Sequence, residues 1–296
     1  MSHYTLINTG AALQKYLDHL SEAKQVVIAL DTEANNHMHA YGQQLCLIQI
    51  YDGTSSIIVD PFNIENETLR NLFESRGILK IMYDAPSDIS LLVNSKNMTI
   101  KSILDLRPGV ELLKYEKKDL HSVIYAELGI ELKHKKKFQR YNWLRRPLSE
   151  EALEYALNDV KYLPRLKDII LRKIYKRQLL DLFILRSIRV QNRDYFRDPK
   201  DSYQRVKGYH FLNDEYKLRF QQLHAAREEY AKLANMPSPY IIPNSLLLNI
   251  ASRTQTLEDI AFPKRFKENL RNRMLRDLRR VIESSMLEDL SEEYQK

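Results

Sequence analysis

An apolar strand that runs straight into two acidic residues constrains this chain more than any other feature. Gln25-Val-Val-Ile-Ala-Leu30 is β-branched and apolar, the character of a buried strand, and Asp31-Thr32-Glu33 follows it directly. Residues i and i+2 of a strand project to the same face, so Asp31 and Glu33 would lie side by side at the strand's end. Like charges that close repel, and a nearby cation relieves the repulsion. Hard, oxygen-ligated metals such as Mg²⁺ or Mn²⁺ are the natural occupants. The alternative is two carboxylates hanging into water where the strand stops.

The surrounding text alternates strands and helices. Leu45-Cys-Leu-Ile-Gln-Ile-Tyr51 reads as a second strand, followed by the turn signal Asp52-Gly53. Ser56-Ile-Ile-Val-Asp60 is a third, stopped by Pro61. Three strands so closely spaced predict a meander. Glu67–Arg76 is helical by pattern with Gly77 as its stop, and Leu79–Tyr83 is a fourth strand. Asp88–Asn94 and Leu112–Leu128 read as helices, and Ser149 can cap another that opens at Glu150. A mixed sheet covered by helices is the simplest layering of these elements, an α/β fold.

The second half is helical. Ile169–Arg189 is helical and basic, and 190–212 reads as a linker. Asp214–Ala234, Asn244–Ala251, Thr256–Ile260 and Phe266–Ser284 form an all-helical unit. The expected organisation is a catalytic domain over 1–189, a linker over 190–212, a helical domain over 213–286 and a fraying acidic tail over 287–296.

Composition narrows the class. Lys plus Arg is 46 and Asp plus Glu is 39 in 296 residues, a net charge of +7. That excess permits a nucleic-acid partner without requiring one. Cys46 is the single cysteine, so neither an internal disulfide nor a cysteine-rich zinc site can form. No basic-then-apolar leader precedes Gln25 and no apolar run reaches membrane-spanning length, so a cytoplasmic protein without membrane contact is expected.

Two more acidic points need explaining. After the fourth strand, Asp84 and Asp88 compete: Asp84 is nearer the strand end, and Asp88 begins the helical pattern. Farther on, Tyr155 and Asp159 are four apart and share a helical face. Asp159 falls within the apolar stripe marked by Ala152, Ala156, Val160 and Leu163. A buried carboxylate needs a partner or a metal, whether a hydrogen-bonding tyrosine or a cation. Carboxylates from three separated segments can meet at one sheet and hold two divalent ions across a phosphodiester.

These residues carry a family resemblance. Asp31-Thr-Glu33, followed by Tyr41 and Leu45-Cys-Leu-Ile-Gln49, resembles the first motif of the DEDD-type 3′→5′ exonucleases. Lys80-Ile-Met-Tyr-Asp-Ala-Pro-Ser-Asp88-Ile89 resembles the second, and places the family's aspartate on Asp88 rather than Asp84. Tyr155-Ala-Leu-Asn-Asp159-Val-Lys-Tyr-Leu163 resembles the third, with the tyrosine that marks the ribonuclease D subclass. Leu104-Asp105 and Gln139–Leu148 resemble segments that lie between the second and third motifs. Tyr203–Gly208 and Leu223–Pro237 resemble the linker and helical domain shared by ribonuclease D and certain DNA helicases, a nucleic-acid-binding module. Two positions depart: Ala34 stands where an aromatic is common, and Tyr83 where histidine is common.

The resemblance implies a ribonuclease H-like mixed sheet flanked by helices, followed by a small all-helical domain. It implies metal ligation by Asp31, Glu33, Asp88 and Asp159 of two divalent metal ions, Mg²⁺ or Mn²⁺, with Tyr155 orienting water. The expected reaction is 3′→5′ hydrolysis releasing nucleoside 5′-monophosphates from the single-stranded 3′ end of RNA, with tRNA precursors as one structured substrate, by a monomer. A DNA exonuclease with the same ligands and a non-catalytic nucleic-acid-binding protein are the rival readings. Lys133, Lys135, Lys136, Lys137 and Arg140 form a basic cluster before Tyr141 and Trp143, and are candidate nucleic-acid contacts. A second cluster, Lys264 to Arg280, splits over several helical faces. Trp143 is expected in the core, and His121 reads as a core or surface histidine rather than a ligand. His37 and His39 read as residues of a polar loop.

Overall fold

The computed structural model describes residues 4–132 and 136–293. The chain divides into two compact units: one comprises Met1–Asn35 with Gln43–Phe196, the other Asn36–Gly42 with Arg197–Lys296.

The first unit is built on a six-stranded mixed sheet. In chain order its strands are β1 (Tyr4–Ile7), β2 (Val27–Asn36), β3 (Gln43–Tyr51), β4 (Ser56–Val59), β5 (Leu79–Met82) and β6 (Ile103–Asp105). Across the sheet they run β1-β4-β3-β2-β5-β6. β2, β3 and β4 are successive neighbours, the expected meander, and β3 and β4 run antiparallel with Ile50 opposite Ile57. β5 is parallel to β2 and β6 is parallel to β5. β1 joins the far edge parallel to β4, with Leu6 opposite Ile58. A strand of four residues with Leu6 exposed has too little apolar signal to be read from sequence.

Helices cover both faces. α1 (Gly10–Glu22), capped by Thr9, α2 (Asn66–Phe73) and α3 (Pro86–Lys96) share one core with the sheet through Leu13, Leu17, Leu72, Phe73 and Leu92. On another, α4 (Arg107–Leu112), α5 (Leu120–Leu128) and α7 (Leu163–Lys176) contribute Val110, Val123, Ile124, Leu166 and Ile170. α4 sits close to α7: a Cβ added at Gly109 would lie 2.8 Å from Ile170 Cγ2. α6 (Glu150–Lys161) packs Ala152, Ala156 and Leu157 with Phe138, Trp143 and β3's Leu47. Trp143 is a core residue, as expected.

Two expected helices are each two. Leu112–Leu128 is broken because Lys114 adopts a left-handed conformation (φ 58°) and Asp119 caps a new start, accepting from Ser122 N at 3.0 Å. Ile169–Arg189 is broken at Gln178 (φ 57°), which separates α7 from α8 (Leu180–Asn192). Part of the expected linker belongs to the first unit, where Tyr195 is buried in the core and Gln191 Oε1 accepts from Ile103 N.

In the second unit, α9 (Asp214–Ala234) is capped by Asn213 and ends at left-handed Asn235. α10 (Ser238–Ile241), α11 (Asn244–Ala251) and α12 (Glu268–Glu293) follow. Thr256–Ile260 is a 3-10 turn closed by a Thr256–Asp259 capping box rather than an α-helix. Phe220, Leu223, Leu247, Met274 and Leu278 form the core. Two buried arginines of α9 tie it together: Arg219 donates to Ala251 O and Arg227 to Ile242 O, each at 2.9 Å. Tyr41, on the Asn36–Gly42 segment, packs on this core and donates its amide to Asn235 Oδ1. α12 runs to Glu293, and no proline or glycine interrupts it.

Candidate active site

β2 extends beyond its apolar run, so Asp31 and Glu33 lie within a strand rather than where one ends. β2 has β3 on one side and β5 on the other, which keeps both residues over the sheet. α6 brings in Asp159. Its start is fixed by Ser149, whose hydroxyl accepts from Ala152 N at 3.2 Å. The preceding loop is tied to the sheet by Arg146, which donates to Cys46 O at 2.7 Å and pairs with Asp60.

Oxygen atoms of Asp31, Glu33 and Asp159 lie within 4.8 Å of one another, and all three side chains are half-buried. Burial raises the Asp31 carboxyl well above the ordinary carboxylate range, and the charges of Asp88, Asp159 and Glu33 raise it further. Glu33 is raised by burial and then by Asp159 and Asp88. Three converging hard oxygen donors that resist ionising together are a donor set that fits a divalent cation.

Asp88 lies outside that group of three. It is the third residue of α3, nearly buried, and its Oδ1 accepts from Thr32 Oγ1. Burial pushes its carboxyl up to about 7, against the lowering effect of the Thr32 hydroxyl. Asp84, the other contender, faces solvent in a left-handed turn (φ 64°) beside Arg107. That turn is held by buried Asp105, whose carboxylate accepts from the amides of Asp84 (2.9 Å), Ala85 (3.2 Å) and Arg107 (3.0 Å).

A cavity of about 220 Å³ opens at the cluster, lined by Asp31, Tyr83, Asp119, His121, Tyr155 and Asp159. Tyr155 stands one turn before Asp159. Its ring packs 5.1 Å from Phe138 and edge-on to His121 at 6.0 Å, and burial raises its hydroxyl pKa. Tyr83 lines the same cavity while its hydroxyl donates to Lys118 O. Ala34, one position past Glu33, packs against the core shared with α1, α2 and α3.

His121 is the residue that sequence reasoning missed. It is buried, as a core histidine would be, but its Nε2 lies 2.9 Å from Asp159 Oδ1 in the cavity wall. Its only local signal is its place two residues after Asp119. His37 and His39 lie in the segment that groups with the second unit.

Of the basic cluster, Lys133 and Lys135 lie outside the described residues. Lys136 opens a 3-10 turn, Lys136–Arg140; Lys137 is exposed and paired with Glu151, and Arg140 is exposed. On α12, Met274 and Leu278 face the core, so its arginines fan over the remaining faces. Among the described residues no helix is long and apolar enough to cross a membrane.

Residues 4–175 match the family model described as 3′-5′ exonuclease. Ribonuclease D of Desulfotalea psychrophila is 30% identical over 258 residues, covering 85% of this chain and 67% of that protein. The exosome complex component 10 homolog of Caenorhabditis elegans is 25% identical over 257 residues, covering 83% of this chain but only 28% of its own length. The crystal structure of Escherichia coli RNase D superposes with a TM-score of 0.71 at 22% identity, covering 94% of this chain and 75% of that one. Its fold is therefore shared, a mixed sheet flanked by helices followed by a small all-helical domain. The chain belongs to the 3′-5′ exonuclease family, as an enzyme of the ribonuclease D type with a donor set for a divalent metal.

Proposed function

We propose that this chain removes nucleotides from the single-stranded 3′ end of structured RNA, tRNA precursors among them, releasing nucleoside 5′-monophosphates. The observation that carries the reading is the convergence of Asp31, Glu33 and Asp159 within 4.8 Å at a cavity that Tyr155 also lines. Asp31, Glu33, Asp88 and Asp159 are the residues that would hold two Mg²⁺ or Mn²⁺ ions. Such ions supply a water of lowered pKa and offset charge on the leaving 3′ oxygen. Tyr155 keeps its proton across the working range, because burial and the neighbouring carboxylates raise its pKa. Its hydroxyl therefore orients the attacking water as a hydrogen-bond partner. Lys137 and Arg140 offer phosphate contacts outside the cavity. The RNA assignment is supported by the relatives: four are named as ribonuclease D, and the Escherichia coli protein is described as an exoribonuclease involved in structured RNA processing.

The test is a time course on 5′-labelled, 3′-tailed RNA with Mg²⁺, Mn²⁺ or chelator, beside a DNA strand of the same sequence. A ladder shortening from the 3′ end, abolished by chelator and by Asp31→Ala, is expected. Digestion by Asp31→Ala at the wild-type rate would overturn the site assignment. A preference for the DNA strand would overturn the substrate.

A further inference from the structure

We infer that His121 is a positioning residue for this reaction, holding Asp159 and Tyr155 in the arrangement that receives the metal. The inference rests on the metal-site reading above.

His121 sits in the first turn of α5, fixed there by Asp119, whose carboxylate accepts from Ser122 N at 3.0 Å. Only 8% of its surface is exposed. Nε2 lies 2.9 Å from Asp159 Oδ1, and an ionised carboxylate can only accept, so the imidazole donates. A carboxylate torsion is otherwise soft, with a broad range of orientations. Asp159 also has a reason to turn away, since Asp31 and Glu33 repel it. The Nε2–H fixes the carboxylate plane and offsets part of that repulsion before any cation arrives. The ring of the same histidine meets Tyr155 edge-on, with centroids 6.0 Å apart and planes at 65°. One side chain thus touches both residues that α6 presents to the cavity. Residues that hydrogen-bond to ligating groups set ligand orientation, and their loss typically costs about 10–100-fold in metal affinity or activity.

The experiment uses the full chain, free of RNA, with Mn²⁺ alone as probe. The thermal shift is followed against Mn²⁺ concentration, since binding to the native state alone raises stability with the logarithm of one plus the ratio of Mn²⁺ concentration to Kd. His121→Ala is expected to need about 10–100-fold more Mn²⁺ for the same shift. His121→Gln, which carries an N–H donor at the reach of Nε2, recovers most of that affinity. His121→Asn, whose amide stops a bond short, does not. On RNA, His121→Ala regains kcat as Mn²⁺ is raised while KM for RNA stays unchanged. An Mn²⁺ dependence of His121→Ala equal to wild type overturns the inference. If His121→Ala does not fold, equal Mn²⁺ affinities of the Gln and Asn variants overturn it instead. Asp31→Asn is run in parallel: if it keeps the wild-type shift, the metal-site reading itself has failed and this inference falls with it.

Discussion

Thr32 Oγ1 donates a hydrogen bond to Asp88 Oδ1, tying the strand that carries Asp31 and Glu33 to the helix that carries Asp88. The two residues are 56 apart in sequence, and the bond settles which aspartate after β5 faces inward. Thr32→Val keeps the shape and removes the donor. It leaves a buried carboxylate short of one partner, at a cost of roughly 1–3 kcal/mol. Urea unfolding of the metal-free protein checks this. The loss should be larger at pH 8, where Asp88 is ionised, than at pH 5.5, where it carries its own proton.

The acidic cluster makes stability fall as pH rises. Asp88 moves from 3.8 to about 7 on folding, and Asp31 and Glu33 are raised as well. A raised carboxyl binds its proton more tightly in the folded state. Its contribution is fully present below about pH 4 and lost as pH rises through about 7. His224, lowered to about 4, and Lys80, lowered to about 8, act in the opposite direction. The informative quantity is therefore a difference: metal-free Asp88→Asn should gain on wild type between pH 4 and 8, by a few kcal/mol on the order set by ~1.4 kcal/mol per pKa unit. Mn²⁺ should erase the gain at pH 8.

Asp105 supports the site without lining it. Three backbone amides of the turn before α3 point at its buried carboxylate. Asp105→Ala orphans them and should cost roughly 2–3 kcal/mol. Asp105→Asn keeps one oxygen, the one that serves Asp84 and Arg107, and should cost less. Chemical denaturation of both variants distinguishes this from a general loss of packing.

Tyr155→Phe keeps the ring contacts with Phe138 and His121 and deletes only the hydroxyl. Turnover on RNA should fall by about 10²–10⁴, the range of a positioned acid–base group, with the melting temperature unchanged. A full-rate Phe variant would reduce Tyr155 to packing.

Lys137 is already paired with Glu151 on the surface, so RNA must compete for it. Replacing Lys137 and Arg140 together by Ala should lower RNA affinity and reduce the slope of log affinity against log salt by roughly 1–2. Binding measured by fluorescence anisotropy across salt concentrations tests this, and an unchanged slope would place the RNA backbone elsewhere.

Much of this protein was decided locally. The two-residue spacing of Asp31 and Glu33 and the four-residue spacing of Tyr155 and Asp159 are backbone periodicities, so any strand and any helix there would put each pair on one face. β2 to β5, α9 and α11 were legible for the same reason. Tertiary structure decided the rest. The breaks at Lys114 and Gln178 are left-handed residues that carry no glycine signal. β1 exists only because β4 pairs with it. Asp88, which the second motif had already singled out over Asp84, is held by Thr32 on another strand, and His121 was drawn to Asp159 across 38 residues. Such contacts depend on which segments the sheet order brings together, and a local pattern holds no record of its distant partner. The chain's own periodicity therefore set out the carboxylates, while the packing of α3, α5 and α6 on one sheet made them a site.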